Sequence, residues 1–329
     1  MAFSLFLGAL AMAAATCAVG QPENHWVAAG QESGRFRSEL TVRSFPSGVR
    51  NCYTLPTVAG AKYLVRVIAF YGNYDGKNSS SALQFDLYIG VNYWQTVRAD
   101  GDEVYEVLFV AWASWVPVCL VNTAQGTPFV SSVELRPLVD ALYPAVMTNQ
   151  SMATDRRYSM GSDIAITRYP EDPYDRYWWG MTDAAWLNLT TTSAIQTENT
   201  IAVPMSVLQT AVTPTRNNTV LSVTTWQDLT ANKYMVFLHF ADFQSSKLRQ
   251  FDAYPDVNQM LQSYKPPYLS ADYVYTPDWF RADGGGYNIT LAATANSALP
   301  PILNAYETYL LITHETPMTF SPDYCVFYY

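Results

Sequence analysis

The chain has 329 residues, 49% of them hydrophobic and 14% charged, which excludes a disordered protein and suggests two domains of ordinary size. The net charge of −9, with no run of Lys or Arg, argues against nucleic acid or an anionic membrane surface as a partner. The 24 Tyr, 15 Phe and 9 Trp favour strands, because aromatic side chains suit pleated, half-buried surfaces. We therefore expect an all-β fold.

The first 19 residues form an uncharged apolar run, followed by Gly20. Small residues at Ala18 and Gly20 predict a signal peptide over residues 1–20, cleaved before Gln21. The alternative is an uncleaved membrane anchor, since the run is long enough to span a bilayer. Five N-x-S/T sequons agree with the secretory pathway and an extracellular location. The predicted glycosylation sites are Asn78, Asn149, Asn188, Asn217 and Asn288.

Strand patterns separated by turn residues fill the rest of the chain. Residues 62–71 (KYLVRVIAFY) are apolar on both faces except at Arg66, which is typical of a central sandwich strand. They lead into a turn at residues 73–76 (NYDG), where Asp and Gly favour a chain reversal. Residues 85–92 and 287–293 alternate between apolar and mixed faces, and this alternation predicts half-buried strands.

Three segments recur in the same order at similar spacing. They are KYLV at 62–65 and KYMV at 233–236, FDLY at 85–88 and FDAY at 251–254, and PFVSSVE at 128–134 and PILNAYE at 301–307. The repeat predicts a duplicated all-β unit. We assign residues 21–138 to the first domain, 139–153 to a linker, 154–320 to the second domain and 321–329 to a tail.

Longer motifs carry a resemblance to a known family. They are RSFPSG at 43–48, FYGNYDG at 70–76, VCLVNT at 118–123, ELRPL at 134–138, RYPEDPYDRYW at 168–178 and LPPILNA at 299–305. In this order they closely resemble the malectin-like ectodomain of plant leucine-rich-repeat receptor kinases, from about residue 40 to 320. The resemblance implies two tandem malectin-like β-sandwiches of jelly-roll type on the outer face of a plant cell.

The sequence departs from this family pattern at both ends. Family members carry an Ile-Asp-Cys-Gly motif and opening strands before the RSFP motif, whereas residues 21–39 are polar and Gly-rich here. We expect the first sandwich to lack its N-terminal strands, which would leave an unpaired edge and residues 62–71 partly uncovered. The resemblance stops near Phe320, before any leucine-rich repeats, membrane helix or kinase. A truncated receptor product is therefore expected.

Catalytic motifs are missing from the sequence, so we expect no enzyme, no cofactor and no metal site. G-x-S-x-G, H-E-x-x-H, C-x-x-C and Walker sequences do not occur. His239 lies in a strand-like run and is interpreted as a satisfied strand residue. Asp172 and Asp175 lie among Arg and Pro residues, which indicates local ion pairing rather than the facing carboxylates of a glycosidase.

The leading interpretation of function is recognition of cell-wall carbohydrate. Animal malectin binds glucose-containing oligosaccharides with Tyr, Phe and Asp side chains, and residues 70–76 are the nearest counterpart. The resemblance implies a ligand site at Tyr71, Tyr74 and Asp75, with Tyr93 and Trp94 as neighbours. The alternative is a hairpin turn capped by aromatic rings.

The competing interpretation is a protein-interaction platform for a secreted peptide or co-receptor, with membrane receptor kinases as further partners. Tyr174, Arg176 and Trp178 are the interface candidates, because aromatic residues and Arg are enriched in binding hot spots. An internal clasp between the two domains is the alternative role for these residues.

Once the leader is removed, three cysteines remain, an odd number for a secreted protein. Cys52 and Cys119 both lie in strand-like segments of the first sandwich, and we expect a disulfide between them. The alternative is that one of them bonds to Cys325.

Overall fold

The computed structural model describes residues 21–78, 80–215, 218–255 and 260–314. In these ranges the chain forms 22 strands, one α-helical turn and three short 3-10 helices. The strands of the first half are β1 Glu23–Trp26, β2 Thr41–Ser44, β3 Arg50–Pro56, β4 Lys62–Ile68, β5 Gln84–Ile89, β6 Asn92–Arg98, β7 Val104–Val110, β8 Trp115–Gln125, β9 Phe129–Val130 and β10 Ser132–Leu138.

The remaining strands are β11 Gln150–Met160, β12 Ile166–Thr167, β13 Trp178–Met181, β14 Trp186–Thr190, β15 Thr210–Pro214, β16 Val220–Gln227, β17 Tyr234–Phe240, β18 Phe251–Pro255, β19 Leu261–Tyr264, β20 Asp272–Tyr275, β21 Gly286–Ala293 and β22 Ala305–Thr313. The helical turn α1 spans Met205–Leu208, and the 3-10 helices span Arg37–Glu39, Ser80–Ala82 and Asp283–Gly285. The prediction of an all-β chain is confirmed.

One long sheet runs through both halves of the chain, in the order β10-β4-β7-β11-β22-β17-β20. β7 of the first half pairs with β11 of the second, so the halves meet inside this shared sheet. Each half adds a separate four-stranded sheet, β3-β8-β5-β6 in the first and β16-β21-β18-β19 in the second. The repeated FDLY and FDAY segments fall in β5 and β18, which occupy the same place in these two sheets.

Alternation of side chains along each strand explains where the cores form. Phe85, Leu87 and Ile89 of β5 are fully buried, and they pack against Val65 and Val67 of β4 in the first-half core. β17, β18 and β21 build an equivalent core in the second half. A third core covers the opposite face of the shared sheet at the junction of the halves and includes Leu64, Leu108, Trp178, Phe237 and Tyr309.

Residues 139–149, most of the predicted linker, pack against the third core. Leu142, Tyr143 and Val146 are buried there, and the Lys62 ammonium donates to the carbonyl of Tyr143 at 3.1 Å. Residues 150–153 already belong to β11. This part of the chain therefore covers the shared sheet rather than running through solvent.

The segment ahead of Leu40 contains a strand that the sequence pattern did not reveal. β1 pairs antiparallel with β2, and the Val27 amide donates to the Leu40 carbonyl at 3.1 Å. Its sequence, ENHW, has only four residues and a single apolar one, so hydrophobic alternation could not mark it. The expectation that residues 62–71 are partly uncovered is wrong. All of them are buried, because β4 lies between β10 and β7 and both of its faces meet a core.

A disulfide joins Cys52 of β3 to Cys119 of β8, the pair expected from the sequence. The two residues are direct cross-strand partners in the ladder, with their Cα atoms 4.0 Å apart. The bond therefore ties two neighbouring strands of the first-half sheet. Cys325 lies outside the described residues.

Candidate functional site: the cleft between the two halves

The turn at residues 70–76, predicted to bind sugar, is satisfied by its own contacts. The Tyr71 hydroxyl donates to the Asp75 carboxylate, which also accepts from the Lys77 amide at 3.1 Å. The rings of Tyr71 and Tyr74 pack against Phe129, with centroids 5.9 and 5.5 Å from its ring. The polar groups and aromatic faces are thus largely used in holding the turn together.

Tyr93 and Trp94 do not extend this turn into one surface. They are adjacent residues of β6 and therefore point to opposite faces of the sheet. Trp94 is 3% exposed within the first-half core, whereas Tyr93 is half-exposed and packs edge-on against Tyr88. The five residues predicted for a sugar site do not form a shared binding face.

Two of the three interface candidates are inside the protein. Arg176 and Trp178 are fully buried and both bind the Asp172 carboxylate, at 2.8 and 2.7 Å, while Tyr174 is half-buried. The Arg176 guanidinium also donates to the carbonyl of Ile201 at 2.6 Å. Burial makes Arg176 and Trp178 unavailable to a partner, which corrects the interface prediction for these two residues.

Asp175, in the same segment, links the halves through arginine side chains. It accepts from Arg136 of β10 at 3.0 Å and from Arg66 of β4 at 3.3 Å, both in the first half. Arg168 binds it from its own half at 2.8 Å. Although burial alone would raise the pKa of Asp175, these hydrogen bonds and charges lower it to about 2. The segment acts as a clasp between the halves.

A buried ion network forms the floor beneath the junction. Glu106 of β7 accepts from Arg66 at 2.8 Å and also pairs with Arg157 of β11. Arg157 continues to Glu307 of β22 at 2.7 Å, and Glu307 binds the His239 ring at 3.0 Å. Burial opposes ionisation of both glutamates, but the adjacent Arg157 charge and the other partners lower the pKa of each. His239 is therefore a satisfied strand residue in a structural network.

A cleft of about 580 Å³ opens above this floor, where the shared sheet splits. The β7–β11 ladder consists of two register pairs and ends at Val107 and Ala153. A β-bulge follows in β11 at Asp155, and β13 pairs with β11 only from Tyr158 onward. Bulges bend a strand and re-aim its side chains. The gap between β7 and β13 is the cleft.

The walls of the cleft come from both halves. Phe36, Tyr177 and Trp179 form an aromatic wall, with successive ring centroids 6.2 and 6.1 Å apart. Phe36 and Trp179 are 37% and 39% exposed, so this wall is open to a ligand. Gly180 allows β13 to sit here, since a Cβ at this position would lie 2.1 Å from the Ile164 carbonyl oxygen.

The carboxylates in the cleft include Asp155 at the bulge and Asp102 in the turn before β7. Asp155 accepts from the Thr308 hydroxyl at 2.8 Å and lies 3.4 Å from the Arg156 guanidinium. Burial raises the pKa of Asp155, and the nearby Asp102 charge raises it further. Carboxyls with raised pKa values are typical of functional clefts.

The comparison with protein families identifies the chain. A sequence model described as the malectin-like domain matches residues 16–311. The chain belongs to the malectin-like family.

Two similar curated relatives are receptor-like protein kinases of Arabidopsis thaliana. One is 36% identical over 304 residues, covering 89% of this chain and 34% of the relative. The other is a leucine-rich-repeat kinase, 38% identical over 288 residues, covering 84% and 32%. The chain thus spans about a third of the length of these relatives.

Solved structures share this malectin-like fold at low sequence identity. The ANX1 ectodomain from Arabidopsis thaliana has a TM-score of 0.72 and 15% identity, covering 90% of this chain and 89% of that one. A chain in the crystal structure of the plant peptide RALF23 in complex with FER and LLG2 has a TM-score of 0.71 and 15% identity, covering 90% of both chains. At this identity the likeness shows the fold alone.

The predicted glycosylation sites of this malectin-like chain lie mostly on its surface. Asn78, Asn149 and Asn188 are exposed. Asn288 is half-buried and alternates with the buried Tyr287 and Ile289. Asn217 and the predicted signal peptide lie outside the described residues. No helix in the described ranges is long and apolar enough to cross a membrane.

Sequence reasoning missed three residues that open the cleft: Phe36, Asp102 and Asp155. Trp179 directly follows the RYPEDPYDRYW motif, so the motif pointed to the right segment but to its buried members. A bulge at Asp155 and the end of a ladder at Val107 leave no pattern in the sequence, because both depend on how distant strands pair.

Proposed function

We propose that this chain is the extracellular recognition module of a receptor-like kinase, built from two malectin-like sandwiches, and that its junction cleft binds a secreted peptide together with a co-receptor. The observation that supports this proposal best is a cleft in which two of the three wall rings, Phe36 and Trp179, are exposed while the charges beneath them are already paired. The complex of RALF23 with FER and LLG2, in which a chain shares this fold, supports a peptide and a co-receptor as partners.

A preformed cleft favours recognition of a flexible ligand, because the receptor then loses little conformational entropy on binding. The clasp at Asp175 and the network through Arg157 hold both walls from opposite halves. Exposed aromatic side chains such as Trp179 are the type that dominates binding energy in protein interfaces. In this role the chain binds its partners without catalysing a reaction, and we expect it to pass through the secretory pathway.

Cell-wall oligosaccharide is the second candidate ligand. The observation in its favour is the pairing of exposed Trp179 with carboxylates in one cleft, since sugar sites combine an aromatic face with groups that bind hydroxyls. The turn around Tyr71 contributes little to this candidate, because its hydroxyl and carboxylate already bind each other.

The deciding experiment is a binding screen of the secreted protein against a set of secreted plant peptides and a set of cell-wall oligosaccharides. Every hit is repeated with W179A and with W26A, a control that removes a more exposed tryptophan away from the cleft. We expect peptide binding that W179A weakens at least roughly ten-fold and W26A leaves unchanged. Oligosaccharide binding with the same sensitivity would favour the second candidate, and hits indifferent to W179A would rule out the cleft.

A further inference from the structure

The edge of β7 is open at the cleft. Hydrogen bonds to β4 use alternate residues of β7, as the bonds from Ala69 to Glu103 and from Ala111 to Ala61 show. Val104 and Glu106 are out of phase with these residues, so their backbone groups point away from β4 towards the cleft. In the described part of the chain the ladder with β11 stops at Val107, which leaves Val104 without a strand partner on that side.

β11 presents a matching gap on the opposite side of the cleft. Its edge is paired with β7 up to Ala153 and with β13 from Tyr158 onward. Within the described ranges, residues 154–157 have no strand partner between these two ladders. Two strand edges of the same sheet therefore face each other across the space.

The space suits a short extended segment. Its volume of about 580 Å³ lies within the range of roughly 300–1,000 Å³ that is usual for ligand sites. Peptides that add to a sheet gain affinity from main-chain hydrogen bonds and specificity from alternate side chains. Successive side chains of an added strand would point to opposite sides of the sheet.

The surroundings indicate the chemistry of such a segment. Phe36 and Trp179 offer exposed apolar rings, which fit an aromatic or aliphatic side chain. Asp102 lines the same space and has no ion pair among the described residues, whereas Asp155 is already paired with Arg156. The available charge is therefore negative, as is the whole chain at −9, and it complements a cationic side chain.

We infer that a partner peptide binds as an added strand between β7 and β11, with apolar and basic side chains alternating along it. This inference rests on the proposed function and specifies how the cleft is used. Main-chain bonds to Val104 and to residues 154–157 fix the register, the aromatic wall takes the apolar side chains, and Asp102 takes a cation.

The test uses the secreted protein and a capped hexapeptide of alternating Lys and Phe as the probe. A hexapeptide of alternating Glu and Phe tests the charge, and a fully N-methylated Lys-Phe peptide tests the main-chain bonds. We expect the Lys-Phe peptide to bind, and each of the other two to bind at least ten-fold more weakly in calorimetry. Hydrogen exchange should show slower exchange of the Val104 amide in the complex.

The matched variants are V104P, which removes the amide that faces the cleft, and V104A, which keeps it. V104P should bind the Lys-Phe peptide at least ten-fold more weakly, and V104A should bind it like the unmodified protein. If V104P does not fold, protection of the Val104 amide in the unmodified protein decides the question.

Two results would overturn the inference. One is equal binding of the N-methylated and unmethylated peptides, and the other is no binding of the Lys-Phe peptide. Neither result alone overturns the proposed function, because W179A-sensitive binding in the screen of secreted peptides is measured separately.

Discussion

The two halves of the chain contain equivalent strand pairs, β4 with β10 and β17 with β22, and each pair carries a glutamate at the same place in the repeat. In the first half Glu134 stands opposite Arg66, and the ion pair closes between adjacent strands. In the second half the residue opposite Glu307 is Phe237. The charge of Glu307 is instead met by Arg157 of β11 and by the His239 ring.

The difference shows that the glutamate of such a strand pair can be neutralised by its neighbouring strand or by an arginine that links the two halves. Glu134 keeps 16% of its side chain exposed, so water shares in stabilising its charge. Glu307 is fully buried and depends on protein groups alone. Arg157, which neutralises Glu307, also binds Glu106 of β7. The ion pairs of this one arginine therefore connect the second half to the first. A buried charge thus becomes part of the connection between the halves.

The largest expected effect comes from removing Arg157, the residue that the halves share. R157M leaves Glu106 and Glu307 without their common cation, and breaking a buried pair costs about 3–5 kcal/mol in the free energy of unfolding. Urea unfolding measures this loss. R43M, at an exposed arginine that bonds only to Asn24 in the described structure, should change it by no more than about 0.5 kcal/mol. A loss below about 1 kcal/mol for R157M would contradict the role given to the network.

Removing the disulfide should destabilise the first half of the chain more than the second. The bond spans 67 residues, and in the chain-entropy model removing it costs about 4 kcal/mol. Residues 154–314 contain no cysteine. In limited proteolysis, C52S/C119S should be cut first within residues 21–138, and a fragment that keeps β11, starting at the exposed residues 147–149, should persist. Simultaneous cleavage of both halves would show that they do not differ in this way.

Replacing each of the two equivalent glutamates by glutamine compares the buried site directly with the partly exposed one. E307Q removes the charge that Arg157 and His239 face in the buried network, and we expect a loss of about 2–4 kcal/mol in unfolding free energy. E134Q acts at a partly exposed pair and should cost about 1 kcal/mol or less. Chemical denaturation of both variants at pH 7 tests this order. Equal losses would mean that burial does not distinguish the two sites.

The smallest expected effect is a pH dependence of the clasp. The pKa of Asp175 is lowered to about 2 in the folded protein, so the unfolded state binds a proton at higher pH than the folded state does. Its contribution is present above about pH 5 and is lost as the pH falls from about 4 to 2, on the order of 1–2 kcal/mol.

The matched variants for this test are D175N and D183N, the second at an exposed aspartate. Urea unfolding at pH 5 and pH 2.5 should show a smaller acid-induced loss in D175N than in the unmodified protein. D183N should keep the full loss. An unchanged acid-induced loss in D175N would contradict the assigned contribution of Asp175.

The sequence predicted strands well where one face of the strand is apolar. β5 and β21 follow the alternation of Phe85, Leu87 and Ile89 and of Tyr287, Ile289 and Leu291. It failed at β1, whose three polar residues and exposed tryptophan are held by pairing with β2 rather than by burial. For the site, motifs located the segment around Trp178, but burial then separated the internal Arg176 and Trp178 from the exposed Trp179.

The sequence by itself determined the family and the all-β class, because these follow from motifs and from local side-chain periodicity, and its repeated segments predicted a duplication. Only the tertiary structure decided that the halves share one sheet, that Glu307 depends on Arg157, and that the sheet splits at Asp155 to leave a cleft. Each of these features depends on register between strands that are distant in sequence. A single added residue in β11 shifts that register and changes which backbone and side-chain groups meet.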